Sequence, residues 1–208
     1  MPLLNKREYE KKMPWRDATI FIIVCEGSHK EPESFSFFHL LTKSIKVIAV
    51  PSSEGRSSPT HLIPNAHQAI EKHNSDDGDF ELWFVIDVDR WKGQIHELQQ
   101  EALQKGWNVA ISNPCFEVWL NDHFASPMPP AENDESCKSW KAHVHQQHGG
   151  FDHTKHQTYL ARAIENARAK FSENGYIPDI GKTQVFRLGK RIFKLTEEEL
   201  KKYYNKVY

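Results

Sequence analysis

Thr19-Ile-Phe-Ile-Ile-Val-Cys25, followed at once by Glu26-Gly27, is the stretch that decides the fold. It carries no charge, is rich in β-branched side chains and does not alternate, so it reads as a strand covered on both faces, as in a parallel sheet. Working outward, residues 32–42 read as a helix, with Pro32 in its first turn and Phe35, Phe38 and Leu41 on one face. Ile45–Val50 is a second strand, Pro51–Pro59 a Ser/Gly/Pro-rich loop and Thr60–His73 a helix. The turn Asn74–Asp79 leads to a third strand, Leu82–Ile86, which ends in Asp87-Val88-Asp89. A helix over 94–105 stops before Gly106, a good C-cap residue, and Trp107–Ile111 is a fourth strand. Ser112-Asn113-Pro114 opens the next helix, with Asn113 as N-cap, Pro114 at the first helical position and Phe116, Trp119, Leu120 and Phe124 inward. Four strands alternating with amphipathic crossovers predict an α/β fold: a four-stranded parallel sheet flanked by helices.

Residues 1–17 read as a polar arm, 18–125 as the α/β core and 126–208 as a helical C-terminal extension packed on it, in a single domain. Within the extension a Pro/Asn/Glu-rich connection precedes helices over about 139–147 and 157–174, then one or two more over 182–207. A chain of 208 residues suffices for one such core. No apolar run approaches the ~18 residues of a membrane span, and the charged N-terminus is unlike a secretory signal. Cys25, Cys115 and Cys137 are odd in number and lack metal-ligand spacing, so reduced thiols and a cytoplasmic location are expected. Charge is unevenly spread. Residues 1–137 carry 13 Lys/Arg against 21 Asp/Glu, and residues 138–208 carry 14 against 7. An acidic first part with a basic second part suits a metal site beside a surface that holds a polyanion.

In open parallel sheets ligands bind outside the carboxyl ends of the strands, and here those ends carry the chemistry. The first strand delivers Glu26, beside Gly27 where the backbone must turn. The third delivers Asp87 and Asp89, which project from one face at i and i+2 and so can share a hard cation. The fourth delivers Ser112 and Asn113 at a helix N-terminus, an arrangement suited to phosphate. Glu117 follows one turn later, as a fourth carboxylate or as a cap of its own first turn. Acids converging in this way repel unless a cation neutralises them, and oxygen-only donors select Mg²⁺ or Mn²⁺ over zinc.

Ile22-Ile-Val-Cys-Glu26-Gly27, Glu31-Pro-Glu-Ser-Phe35, Val85-Ile-Asp87-Val-Asp89 and Ser112-Asn-Pro-Cys-Phe-Glu117-Val-Trp-Leu120 together resemble the RloB family. Thr183-Gln-Val-Phe-Arg-Leu188 is similar to a threonine-led motif in that family's C-terminal helix. The resemblance implies a Toprim-like fold, linkage to abortive infection and restriction loci, and frequent pairing with an ABC-type ATPase. It also implies Glu26 as general acid/base and Asp87 and Asp89 as Mg²⁺ ligands of a nuclease acting on DNA or RNA. The chain departs from related patterns at Trp91, where topoisomerase-like members often carry a third acid, and at Lys30, where the family usually has threonine. Lys30 is then a candidate phosphate contact. A non-catalytic or conditionally active effector controlled by an ABC-type ATPase, or a small-molecule or nucleotide-binding α/β protein, stands as the alternative.

Two further features invite a function. His143, His145, His148, His153 and His156 match no compact zinc pattern and read as histidines exposed between helices. Lys155, Arg187, Lys190 and Arg191, with Arg162, Arg168, Lys170 and Lys194, supply basic faces that would hold a polynucleotide backbone.

Overall fold

The computed structural model describes residues 18–52, 59–73, 80–88, 92–125, 130 and 134–207. The proposed arm, Asp89, Trp91 and the turn over 74–79 lie outside them. β1 (Thr19–Cys25), β2 (Ile45–Val50), β3 (Phe80–Asp87) and β4 (Asn108–Asn113) pair in parallel in the order β2-β1-β3-β4. The sheet has five strands instead of the expected four. Lys182–Thr183, numbered β7, pairs antiparallel with Ser112 and Asn113 at the edge of β4. A two-residue strand in a polar stretch carries no period that sequence reading can detect.

The connections follow from handedness. β1 leads through α1 (Lys30–His39) to β2 on one side, and β2 leads back past β1 through α2 (Pro59–His73) to β3. Right-handed crossovers running in opposite directions put their helices on opposite faces of the sheet. The packing agrees. Phe21, Ile23 and Cys25 of β1 pack in one cluster with Phe35, Phe37 and Phe38 of α1. Ile22 and Val24 pack in another with Leu62, Ala66 and Ala69 of α2 and with Ile95, Leu98 and Ala102 of α3 (Lys92–Gln104). All five β1 side chains named here are fully buried, each stabilising the fold by about 1.5–3 kcal/mol relative to exposure. An unbroken apolar strand therefore serves two cores at once.

The helix after β4 departs from expectation. Asn113–Pro114 is a cis peptide bond, and α4 (Glu117–Asn121) starts after Phe116, so Asn113 does not cap it and Pro114 is not its first residue. All five α4 residues are buried. Beyond it lie α5 (Cys137–His148), α6 (His153–His156), a 3-10 turn (Gln157–Tyr159) and α7 (Leu160–Ala169). The helix expected over 157–174 thus begins as a 3-10 turn and ends early, because Glu173–Asn174 (β5) and Ile177–Pro178 (β6) form a hairpin closed at Gly175, whose φ of 66° favours glycine. One helix, α8 (Val185–Val207), runs to the last described residue.

α7 and α8 join the α1 side of the sheet. Leu160, Ala163, Val185, Leu188, Ile192 and Leu200 share the cluster of Trp119 and Phe116. Gly189 makes the approach close: a Cβ there would lie 3.1 Å from the Trp119 ring and 3.3 Å from Leu160 Cδ1. No helix of the described residues is long and apolar enough to cross a membrane.

Candidate functional site

The strand order reverses between β1 and β3, and the crevice outside the carboxyl ends of such a pair is where open α/β sheets take ligands. Both candidate acids flank that point. The parallel ladder runs on past the strands, with Glu26 N–H donating to Val85 O at 3.0 Å and Val88 N–H to Ser112 O at 3.0 Å. Glu26 Oε2 accepts the Asp87 backbone N–H at 2.9 Å, so the Glu26 carboxylate reaches the stretch that carries Asp87. Ser52 Oγ donates to the Glu26 carbonyl and anchors the same turn from the β2 side.

Around Asp87 the charges are of one sign. Burial pushes its carboxyl well above the usual range, and Glu31, Glu26 and Glu117 push it further. Its buried Oδ1 meets no hydrogen-bond partner among the described residues. Glu31 is also raised, by burial first and then by Glu117. Its carboxylate occupies the space where a Cβ on Gly27 would stand, so a side chain at 27 would displace this acid.

Two cations reach this cluster. Lys30 Nζ lies 3.2 Å from Glu117 Oε1, joining a half-exposed amine to a carboxylate only 3% exposed. Lys141, on the exposed side of α5, loses some charge preference to partial burial, yet Glu117 and Asp87 outweigh that and raise its pKa. Cys115 and Cys137 lie at the same wall, packed with Val118 and Trp140.

Glu31 and Lys141 were not legible as site residues. Glu31 reads as an ordinary acid in a helix's first turn, although Gly27 four residues earlier marks the space it needs. Lys141 comes from a distant helix and leaves no local signal. The reverse holds for others. Ser112 and Asn113 are buried and serve the sheet edge, with the Ser112 hydroxyl 2.8 Å from that of Thr183 and the Asn113 amide donating to Pro178 O at 2.7 Å. With the helix starting at Glu117, the expected helix-end phosphate seat at 112–113 is lost.

Three of the basic residues expected at the substrate make ion pairs of their own. Arg191 pairs with Glu81, six residues before Asp87 on β3 and so about 20 Å away along the strand. Arg187 pairs with Glu173 at 3.2 Å and stacks on Phe171. Lys190 is exposed on the same helix, and Lys155 stands 4.0 Å from Asp152, the cap of its own helix. Of the histidines, His145 is exposed, while His153 and His156 are half-buried, with His153 reaching Glu33 at 3.4 Å.

The divalent metal implied by the resemblance can be tested against this donor set. No group of three or more His, Cys, Asp or Glu among the described residues is arranged to hold a metal, and Asp89 lies outside them. The chemistry nevertheless fits. The donors are all carboxylate oxygens, one buried oxygen lacks a partner, and like charges crowd together.

Fold and site together define a doubly wound α/β protein with an acidic cluster at its switch point. A family model described as RloB-like protein matches residues 21–192, and the chain belongs to that family. Among curated proteins none matches the chain, and none matches among solved structures.

Proposed function

We propose that the protein is a Mg²⁺-dependent phosphodiesterase of Toprim-like architecture, a nuclease of antiphage defence acting in the cytoplasm. The observation that carries this reading is Asp87: a buried carboxylate oxygen without a partner, facing Glu26, Glu31 and Glu117. Such a group is costly unless its charge has work to do. Asp87 and Glu26, with Asp89 and Glu117, would hold the cation. A divalent ion there supplies Lewis-acid polarisation of a phosphoryl oxygen and a lowered pKa for water.

The chain's own residues do the rest. Glu26 is oriented by the Asp87 N–H it accepts and serves as general base toward the attacking water. Lys30 and Lys141 bring positive charge to the rim, where a phosphodiester would sit. Purified protein is expected to cut DNA or RNA with Mg²⁺, and Asp87→Ala to abolish cutting. Undiminished cutting by that variant removes the mechanism.

The Lys30–Glu117 pair favours a conditional version of the same function. Lys30 would compete with a metal for the Glu117 carboxylate, and an ABC-type ATPase partner would release it. Silence of the protein alone, with activity on adding the partner, is the expected result of that version.

A further inference from the structure

Three features outside the proposed chemistry stand out. One is a cleft of about 380 Å³ lined by Trp107, Tyr176, Gln184 and Arg187, with nothing to say what fills it. Another is the buried His123, its two ring nitrogens 3.1 Å from Trp119 O and 3.3 Å from Gln157 Oε1, which acts as a structural bracket. The third is the Cys115–Cys137 pair, and it goes furthest.

Cys115 lies two residues before Glu117, the first residue of α4, and Cys137 is the first residue of α5, which carries Lys141. The two are distant in sequence, yet both pack on Val118 and Trp140. Cys115 is fully buried and Cys137 partly exposed. The α5 N-terminus is built firmly: Ser136 caps it by accepting the Ser139 N–H at 3.2 Å, and Trp140 Nε1 donates to Asp134 O at 3.0 Å. The thiols are close enough for a side-chain hydrogen bond.

We propose that Cys115 and Cys137 form a reversible intramolecular disulfide, a redox site that locks the wall of the acidic cluster by tying the Glu117 segment to α5. The geometry sets the order of events. Cys137 is the thiol a reagent can reach, and it reacts as the thiolate. That thiolate attacks a low-molecular-weight disulfide such as glutathione disulfide, releasing one glutathione thiolate and leaving a mixed disulfide. The Cys115 sulfur then attacks the Cys137 sulfur and expels the second glutathione, which leaves with the Cys115 proton. Two protein thiols are oxidised to one disulfide, and one glutathione disulfide is reduced to two thiols. The cross-link closes a loop around the α4 segment, so it restrains the unfolded chain as well as the wall.

The test uses the full chain with glutathione disulfide as the only oxidant, and none of its readouts requires nuclease activity. Intact mass should fall by two hydrogen atoms, and a digest without reductant should yield the Cys115–Cys137 peptide pair. The melting temperature should rise and return to its starting value with dithiothreitol. Cys115→Ser should instead stop at a glutathione adduct on Cys137. Because Cys115 is fully buried and its variant can fail to fold, Cys137→Ser serves as the second probe and should show neither adduct nor internal bond. Unchanged mass in the wild type, a bond between two chains, or loss of two hydrogens persisting in Cys137→Ser would each overturn the proposal.

Discussion

The two ends of the parallel sheet use the same residue types to opposite effect. At the amino end, Glu81 of β3 meets the Arg191 guanidinium in a two-pronged pair. At the carboxyl end of that strand, Asp87 faces three other acids. There the cations that come near, Lys30 and Lys141, act on Glu117 before Asp87. The first arrangement neutralises charge where it arises and leaves it in water. The second gathers charge of one sign where water is scarce. An acid's type therefore says little about its role, whereas its burial and its surplus over nearby cations say a good deal.

The largest expected contrast lies in the response to metal. Mg²⁺ at about a hundred times its dissociation constant should add about 2.7 kcal/mol of stability, seen as a raised melting temperature that Asp87→Asn abolishes. A wild type with no shift would break the comparison. Next, Asp87→Asn without metal should stabilise the protein by about 1–2 kcal/mol, because it removes a repelled charge and keeps the shape. Denaturant titration reads this directly, and a less stable variant would mean that the carboxylate is structurally satisfied.

The pH profile should follow the same logic. Asp87 and Glu31 hold their protons more tightly folded than unfolded, so the metal-free protein loses stability as pH rises above the ordinary carboxylate range and levels off once the folded groups have ionised. Asp122, in an ion pair with Lys170, adds a contribution of the same sign between its usual 3.8 and about 6, since burial outweighs the lysine. Melting curves across that window should slope less in Asp87→Asn than in wild type, and equal slopes would exclude Asp87 as a source. Smallest of all, Arg191→Ala should cost at most about 1 kcal/mol, the usual worth of an exposed pair. It should leave cutting untouched, and a large loss of cutting would place substrate at the amino end after all.

Much of the fold was legible because burial on both faces leaves a plain mark. The run from Thr19 to Cys25 contains no polar interruption, and its side chains do alternate between two cores. The meeting of Glu26 with Asp87 was legible for a related reason, since both stand at ends of strands that topology sets side by side. The stretch over 112–116 was misread because Asn-Pro before an apolar run is the usual start of a helix, and only tertiary packing reveals a delayed one. Glu31 escaped notice because its inward direction depends on what Gly27 lacks. Arg187 and Arg191 looked like substrate contacts because a charge pattern cannot say which acid across the fold has already claimed them.

The close seating of α8 on Trp119, made possible at Gly189, bears on how the molecule comes into being. A nascent chain presents Glu26 and Asp87 early, whereas α4, five buried residues long, gains its partners only as α5, α7 and then α8 are made. The wall bearing Glu117 is thus finished after the strand ends that carry Glu26 and Asp87. On the proposed reading a chain still being made would not yet cut nucleic acid, because the last wall of its site awaits the helices that follow.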